Sequence, residues 1–128
     1  MAESRRLHAI GNQRFMQSAF VKDSLGDNVA DRCEEEDGYV VVRDGTPIKL
    51  RVYRPKPITT GLPVMVYSHS GGWCLGGLET EEFICRLLVT KLNIIIVSVA
   101  YRLAPEFPYP TGIYDVYDVI KWVFIPVP

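Results

Sequence analysis

Histidine is scarce in this chain, and no serine has the setting of a nucleophile. The only histidines are His8 and His69, and the serines are at 4, 18, 24, 68, 70 and 98. None of these serines has a glycine two residues away on both sides, the pattern that lets a sharp strand-to-helix turn expose a reactive hydroxyl. Cysteine is nearly as rare. Cys33, Cys74 and Cys85 are odd in number and show no C-x-x-C spacing. That excludes a disulfide framework and a structural zinc site, and points to reduced thiols. A net charge of −1 leaves no cationic footprint for nucleic acid. No apolar run reaches membrane-spanning length, and residues 1–23 lack the continuous apolar stretch of a signal peptide, being interrupted by Arg5, Arg6 and Arg14. The cytoplasm is the expected location. The acidic run Glu34-Glu35-Glu36-Asp37 reads as a solvated loop, because the spaced oxygens and glycine turn of a calcium loop are missing. Neither a metal nor a cofactor is implied, and no internal repeat or low-complexity segment is present.

What is there suits a globular α/β chain: 128 residues, 48% hydrophobic and 23% charged. The pattern predicts a helix from about Ser4 to Val21, with Leu7, Ile10, Phe15, Ala19 and Phe20 as an irregular apolar face. Residues Leu25 to Gly38 read as a polar connector. Asp44-Gly45 is a strong turn dipeptide between Tyr39–Val42 and Ile48–Tyr53, predicting a β-hairpin. In its second arm Ile48, Leu50 and Val52 alternate with Lys49, Arg51 and Tyr53, so one buried and one wet face are expected. Pro55 and Pro57 end that arm.

The pattern then changes. Val64–Tyr67 and Ile94–Val99 are short continuous apolar runs, as in parallel strands covered on both faces. Between them Thr80 is the candidate helix cap, Glu81 and Glu82 suit the positive end of the dipole, and Phe83, Ile84, Leu87 and Leu88 repeat at helical spacing. Strand, helix, strand makes a βαβ unit. A last helix is predicted over about Thr111 to Phe124. Its apolar stripe is Ile113, Val116, Tyr117, Ile120 and Phe124, with Asp115, Asp118 and Lys121 on the other side. The fold class is α/β, an antiparallel hairpin leading into parallel βαβ strands.

The glycines at 71, 72, 76 and 77 first suggest phosphate binding. Gly71 and Gly76 have P-loop spacing, but Gly77-Leu78 stands where Lys-Ser/Thr is required. No G-x-G-x-x-G pattern passes through these positions either. A glycine pair at a strand end serves other chemistry well: it lets backbone N–H groups face a pocket where an oxyanion develops.

His69-Ser70-Gly71-Gly72-Trp73 resembles the His-Gly-Gly-Gly-Trp/Phe loop of α/β-hydrolases of the hormone-sensitive-lipase type. Tyr101-Arg102-Leu103-Ala104-Pro105-Glu106, continuing as Phe107 to Pro110, resembles a second segment of that family. The helix with Tyr114 to Tyr117 and Lys121-Trp122-Val123 resembles the next one. The likeness runs from about Tyr39 to Val123. It implies a partial α/β-hydrolase fold with an incomplete sheet, residues 39–128, preceded over 1–38 by a lid-like helix and acidic connector. It further implies Gly71 and Gly72 as oxyanion donors, His69 as support of the loop, and Trp73 as a weak candidate for substrate contact. Arg102, Glu106 and Asp115 take structural roles, while Tyr109 and Pro110 shape the turn into the helix. Ser70 departs from the family triplet, and its side chain would strain a backbone of positive φ.

The triad of this family, serine then acid then histidine, cannot be assembled from these residues. The favoured reading is a shortened product of a longer carboxylic-ester hydrolase, inactive by itself, whose complete fold takes small apolar esters. The alternative is a non-catalytic ligand-binding protein on a hydrolase-like fold, holding a ligand carboxylate with the same loop. A third reading, an unrelated α/β domain with a fortuitous glycine loop, is opposed by the Tyr101 segment. Strand Ile94–Val99 is expected to pair on both edges. Without the family's next strand, an apolar edge is left open to self-association.

Overall fold

The computed structural model describes residues 1–16 and 29–125. Helix α1 (Ala2–Met16) precedes the hairpin strands β1 (Cys33–Val41) and β2 (Pro47–Pro55). Strand β3 (Val64–Ser68), helix α2 (Glu82–Leu92), strand β4 (Ile95–Val99) and helix α3 (Thr111–Phe124) follow. The four strands form one sheet in the order β1-β2-β4-β3. β1 and β2 pair antiparallel, as do β2 and β4, whereas β3 and β4 are parallel. The expected α/β architecture is what the chain adopts.

Asp44-Gly45 makes the hairpin turn. Gly45 has φ +84°, a left-handed conformation open to glycine at little cost, and the Asp44 carboxylate accepts the Thr46 N–H at 3.0 Å. The arms are longer than the alternating pattern suggested. The acidic run is not a loop but part of β1, so the boundary expected at Gly38 falls inside a strand. The reason lies on the facing elements, which carry the opposite charge. Arg54 binds Glu36 at 2.8 Å, Arg51 and Lys49 bind Asp37 at 2.6 and 2.8 Å, and Arg86 of α2 binds Glu35. Opposite charges across strands stabilise a pairing that their propensities disfavour.

Each face of the sheet builds a core. On one side Val40, Val42, Ile48, Leu50, Val97, Val99 and Tyr101 pack with Val119 of α3. On the other, Cys33, Tyr53 and Ile96 pack with Cys85 and Val89 of α2. This arrangement corrects the wet face expected for β2. Tyr53 is fully buried because β2 is an interior strand covered by α2. Burial pushes the thiols of Cys33 and Cys85 up to about 11 and about 12, so both stay protonated and inert at neutral pH.

The helices bury only part of the faces predicted: Val116 of α3 and Leu88 of α2 pack against the cores, but other stripe residues do not. In α3 the inward residues are Gly112, Asp115, Asp118 and Val119, while Ile113, Tyr117, Ile120 and Phe124 are exposed. Two carboxylates turn the helix. Fully buried Asp115 takes the Arg102 guanidinium at 2.6 Å and the Arg102 N–H at 2.9 Å. Asp118 takes Arg43 at 2.8 Å and its N–H at 2.9 Å. In α2 Ile84 is exposed, and the buried positions are Cys85 and Val89. In α1 Leu7 and Ile10 are exposed, and the inward side chains are the half-buried Arg5 and His8. Ala19, Phe20 and the rest of 17–28 lie outside the described residues, as does the side chain of Phe15.

β4 is paired on both edges, as its apolar run suggested. The open edge belongs instead to β3, whose outer side has no strand partner among the described residues. No helix among these residues is long and apolar enough to cross a membrane.

Candidate functional site

The glycine loop leaves the C-terminal end of β3, the end of a parallel strand at which α/β folds place their ligands. His69 is buried, 4% exposed, and stacks on Tyr101 with ring centres 4.3 Å apart and planes 10° apart. The Tyr101 hydroxyl donates to the His69 carbonyl at 2.7 Å. His69 Nδ1 lies 2.8 Å from the Ser70 carbonyl. A carbonyl only accepts, so Nδ1 carries the proton and Nε2 keeps its lone pair. Burial holds the imidazole below its usual pKa, and it stays neutral. His69 Nε2 and His8 Nε2 are both buried without a partner. His69 is thus buried between Tyr101 and the start of the loop.

Close packing explains the glycines. A Cβ on Gly76, at φ +92°, would come within 2.5 Å of His69 Nδ1. One on Gly71, at φ +128°, would come within 2.1 Å of the Leu75 carbonyl oxygen. Gly72 and Trp73 follow with φ +60° and +66°. Trp73 is the exception among side chains here. It is held left-handed by the Ala104 N–H, which its carbonyl accepts at 2.8 Å, and by its ring against Tyr101 at 5.2 Å. Ser70 has no positive φ, so the strain expected from replacing a glycine is absent.

The hydrogen bonds of the loop leave a particular set of donors over. The N–H groups of Cys74 and Leu75 turn inward to the Gly71 carbonyl. That of Ser70 goes to Glu81 at 3.3 Å. The N–H groups of Gly71, Gly72 and Trp73 donate to no acceptor among the described residues. Three successive unpaired donors in a left-handed stretch form a concavity suited to an anion or a polarised carbonyl oxygen.

Neighbouring elements pin this loop. Arg5 of α1 donates to the Cys74 and Ala104 carbonyls at 2.9 and 2.8 Å and pairs with Glu106 at 2.7 Å. Arg5 in turn holds Glu106 below the usual carboxylate range. Thr80 does not cap α2. Its hydroxyl accepts the Gly77 N–H at 2.8 Å, and Glu81 stands at the cap position without bonding the helix. The Glu81 carboxylate reaches back to Ser70 and to the Tyr67 hydroxyl. The Ser70 N–H is thus held by a carboxylate from the start of α2. Arg5, Glu81 and Glu106 were not assigned to the loop from sequence. Among the described residues no three His, Cys, Asp or Glu side chains gather as a metal site.

A family profile described as alpha/beta hydrolase fold matches residues 65–126. The chain is 50% identical over 78 residues to carboxylesterase NlhH of Mycobacterium tuberculosis, covering 61% of this chain and 24% of that protein. It is 34% identical over 107 residues to an arylesterase of Saccharolobus solfataricus, covering 84% of this chain and 32% of the relative. A crystal structure of the Pyrobaculum calidifontis esterase superposes with TM-score 0.79 at 35% identity, covering 95% of this chain and 36% of that one. The chain thus spans about a quarter to a third of the length of these relatives.

Proposed function

We propose that this chain, which belongs to the α/β-hydrolase family of the hormone-sensitive-lipase type and carries the N-terminal portion of that fold, contributes the oxyanion-hole loop of a carboxylic-ester hydrolase. One observation carries the reading: the N–H groups of Gly71 and Gly72 find no acceptor among the described residues, while those of Ser70, Cys74 and Leu75 are taken. In ester hydrolysis the carbonyl oxygen becomes an oxyanion, and donors aimed there in advance stabilise it without reorganising. Gly71 and Gly72 are those donors, His69 is the support that keeps them turned out, and half-exposed Trp73 borders the acyl group of a small apolar ester. The 128 residues are expected not to hydrolyse esters by themselves, since the family's order of serine, acid and histidine cannot be drawn through them. We place the protein in the cytoplasm and expect its open β3 edge to self-associate.

A chimera tests this reading. Residues 33–125 replace the matching segment of the Saccharolobus arylesterase, and hydrolysis of p-nitrophenyl butyrate is followed. Turnover is expected. Gly72→Pro, which removes one donor, should lower kcat about 10²–10³-fold with little change in KM, and the thermal unfolding of the chimera should stay near that of its parent. An unchanged kcat, or robust turnover by the 128 residues alone, would sink the proposal.

A further inference from the structure

Glu81 is the anionic counterpart of Arg5 at the glycine loop, hydrogen-bonded to it from outside, and its role differs from that of a helix cap. Its two oxygens are committed. Oε1 accepts the Ser70 N–H at 3.3 Å and Oε2 accepts the Tyr67 hydroxyl. The Ser70 N–H is therefore withdrawn from the row of donors, and a full negative charge is locked one peptide unit from the Gly71 N–H. Nothing on α2 draws it back, since Glu81 makes no side-chain bond to the helix start. The side chain is half-buried, and its bonds to Ser70 and Tyr67 hold the carboxyl below its usual pKa, so it is ionised at neutral pH.

We propose that Glu81 is a specificity-determining residue, whose fixed carboxylate makes the Gly71–Trp73 donors prefer an uncharged acyl carbonyl to a free carboxylate. The inference rests on the oxyanion-hole reading of the loop and deepens it. An ester carbonyl brings only a dipole to the donors, and Glu81 opposes it weakly. A free carboxylate brings a whole charge to the same donors, where Coulomb repulsion from Glu81 costs about a tenfold loss of affinity. The oxyanion of the transition state differs from both, because an imidazolium forms beside it and the net charge of the site does not change. Glu81 consequently disfavours the acid product and the charged competitor more than the reaction itself. It also sets this loop against the use of its donors to hold a ligand carboxylate.

The test uses the 128-residue chain, labelled with nitrogen-15, and acetate at constant ionic strength and pH 7. Amide shifts of Gly71, Gly72 and Trp73 report occupancy. Glu81→Gln keeps a hydrogen-bond acceptor and removes the charge, so it should bind acetate about tenfold more tightly than the parent. Tyr67→Phe keeps the charge and loses one bond, and should bind acetate as the parent does. Neutral acetamide should not distinguish Glu81→Gln from the parent. Equal acetate affinity in Glu81→Gln and the parent, with these amides shifting in both, overturns the role of Glu81 and leaves the oxyanion reading standing. So does tightening by Tyr67→Phe to match Glu81→Gln. If acetate moves these amides in neither protein, the loop takes no anion, and both readings fall together.

Discussion

The two flanks of the sheet end in opposite ways. β1 closes its flank with charge: Glu35, Glu36 and Asp37 are each bonded to an arginine or lysine of β2 or α2. β3 presents Val64-Met65-Val66-Tyr67-Ser68 with no charge and no proline, and its outer side has no strand partner among the described residues. Charged residues on an edge discourage further pairing, whereas a neutral apolar edge invites it. The glycine loop springs from the uncharged flank, not the charged one. Helix α3, whose outer face shows Ile113, Tyr117, Ile120 and Phe124, also packs near that side, against Val64 and Val66 of the same core. The contrast teaches where the sheet stops and where it is open to continue, and the candidate site lies at the open side.

The ion pairs of the α3 anchor and of the β1 flank also differ in burial, and the largest expected effect tests this. Arg102→Met leaves Asp115, 0% exposed, without its guanidinium. A buried carboxylate stripped of its partner should cost about 3–5 kcal/mol, read from urea unfolding. Arg54→Met at the β1 flank removes a pair whose Glu36 is two-thirds exposed, and should cost less than about 1 kcal/mol. Similar losses in the two variants would erase the distinction.

Acid gives a smaller and graded effect. Arg51 and Lys49 hold Asp37 well below the carboxylate range, Arg43 does the same for Asp118, and Arg102 brings Asp44 down to about 2. A depressed carboxyl contributes stability that is present above its unfolded pKa near 4 and lost as pH falls toward its folded value. Stability should therefore hold from pH 7 to about 5 and decline below about pH 4. Concentrated salt should remove the part due to Asp37, which is exposed, and spare most of that due to Asp118. A decline that salt abolishes altogether would show that the α3 anchor is no better shielded than the edge.

The mildest change addresses the open edge itself. Ser68 is exposed at the end of β3, and Ser68→Lys supplies the kind of charge that β1 already has. In sedimentation or gel filtration the parent should run above its 14.5 kDa mass, and Ser68→Lys should weaken that association about tenfold, while Val41→Lys on β1 should leave it unchanged. Association that responds to Val41 and ignores Ser68 would move the sticky edge to the other flank.

Much of this was legible in the chain. The Asp44-Gly45 turn, the apolar runs that became β3 and β4, and the span of α3 from Thr111 to Phe124 follow from local chemistry. The faces of the helices were legible only in part. An apolar stripe at helical spacing ordinarily marks the buried side, but in α3 Asp115 and Asp118 outweigh it, because each finds an arginine from a distant segment. The acidic run misled for the same reason. Four carboxylates in a row read as solvated until Arg51, Arg54, Lys49 and Arg86 are brought opposite them.

The glycine loop divides along the same line. Sequence alone determined that Gly71 and Gly72 follow an apolar strand, and that no serine in the chain has a glycine two residues away on both sides. Backbone freedom and residue order are local properties, and they are written in consecutive letters. Tertiary structure decided which N–H groups are left over. Glu81 takes Ser70, the Gly71 carbonyl takes Cys74 and Leu75, and Arg5 clamps the far side of the turn from about 70 to 100 residues away. A hydrogen bond satisfied from a distance removes a donor as surely as a proline does, and no local pattern records it.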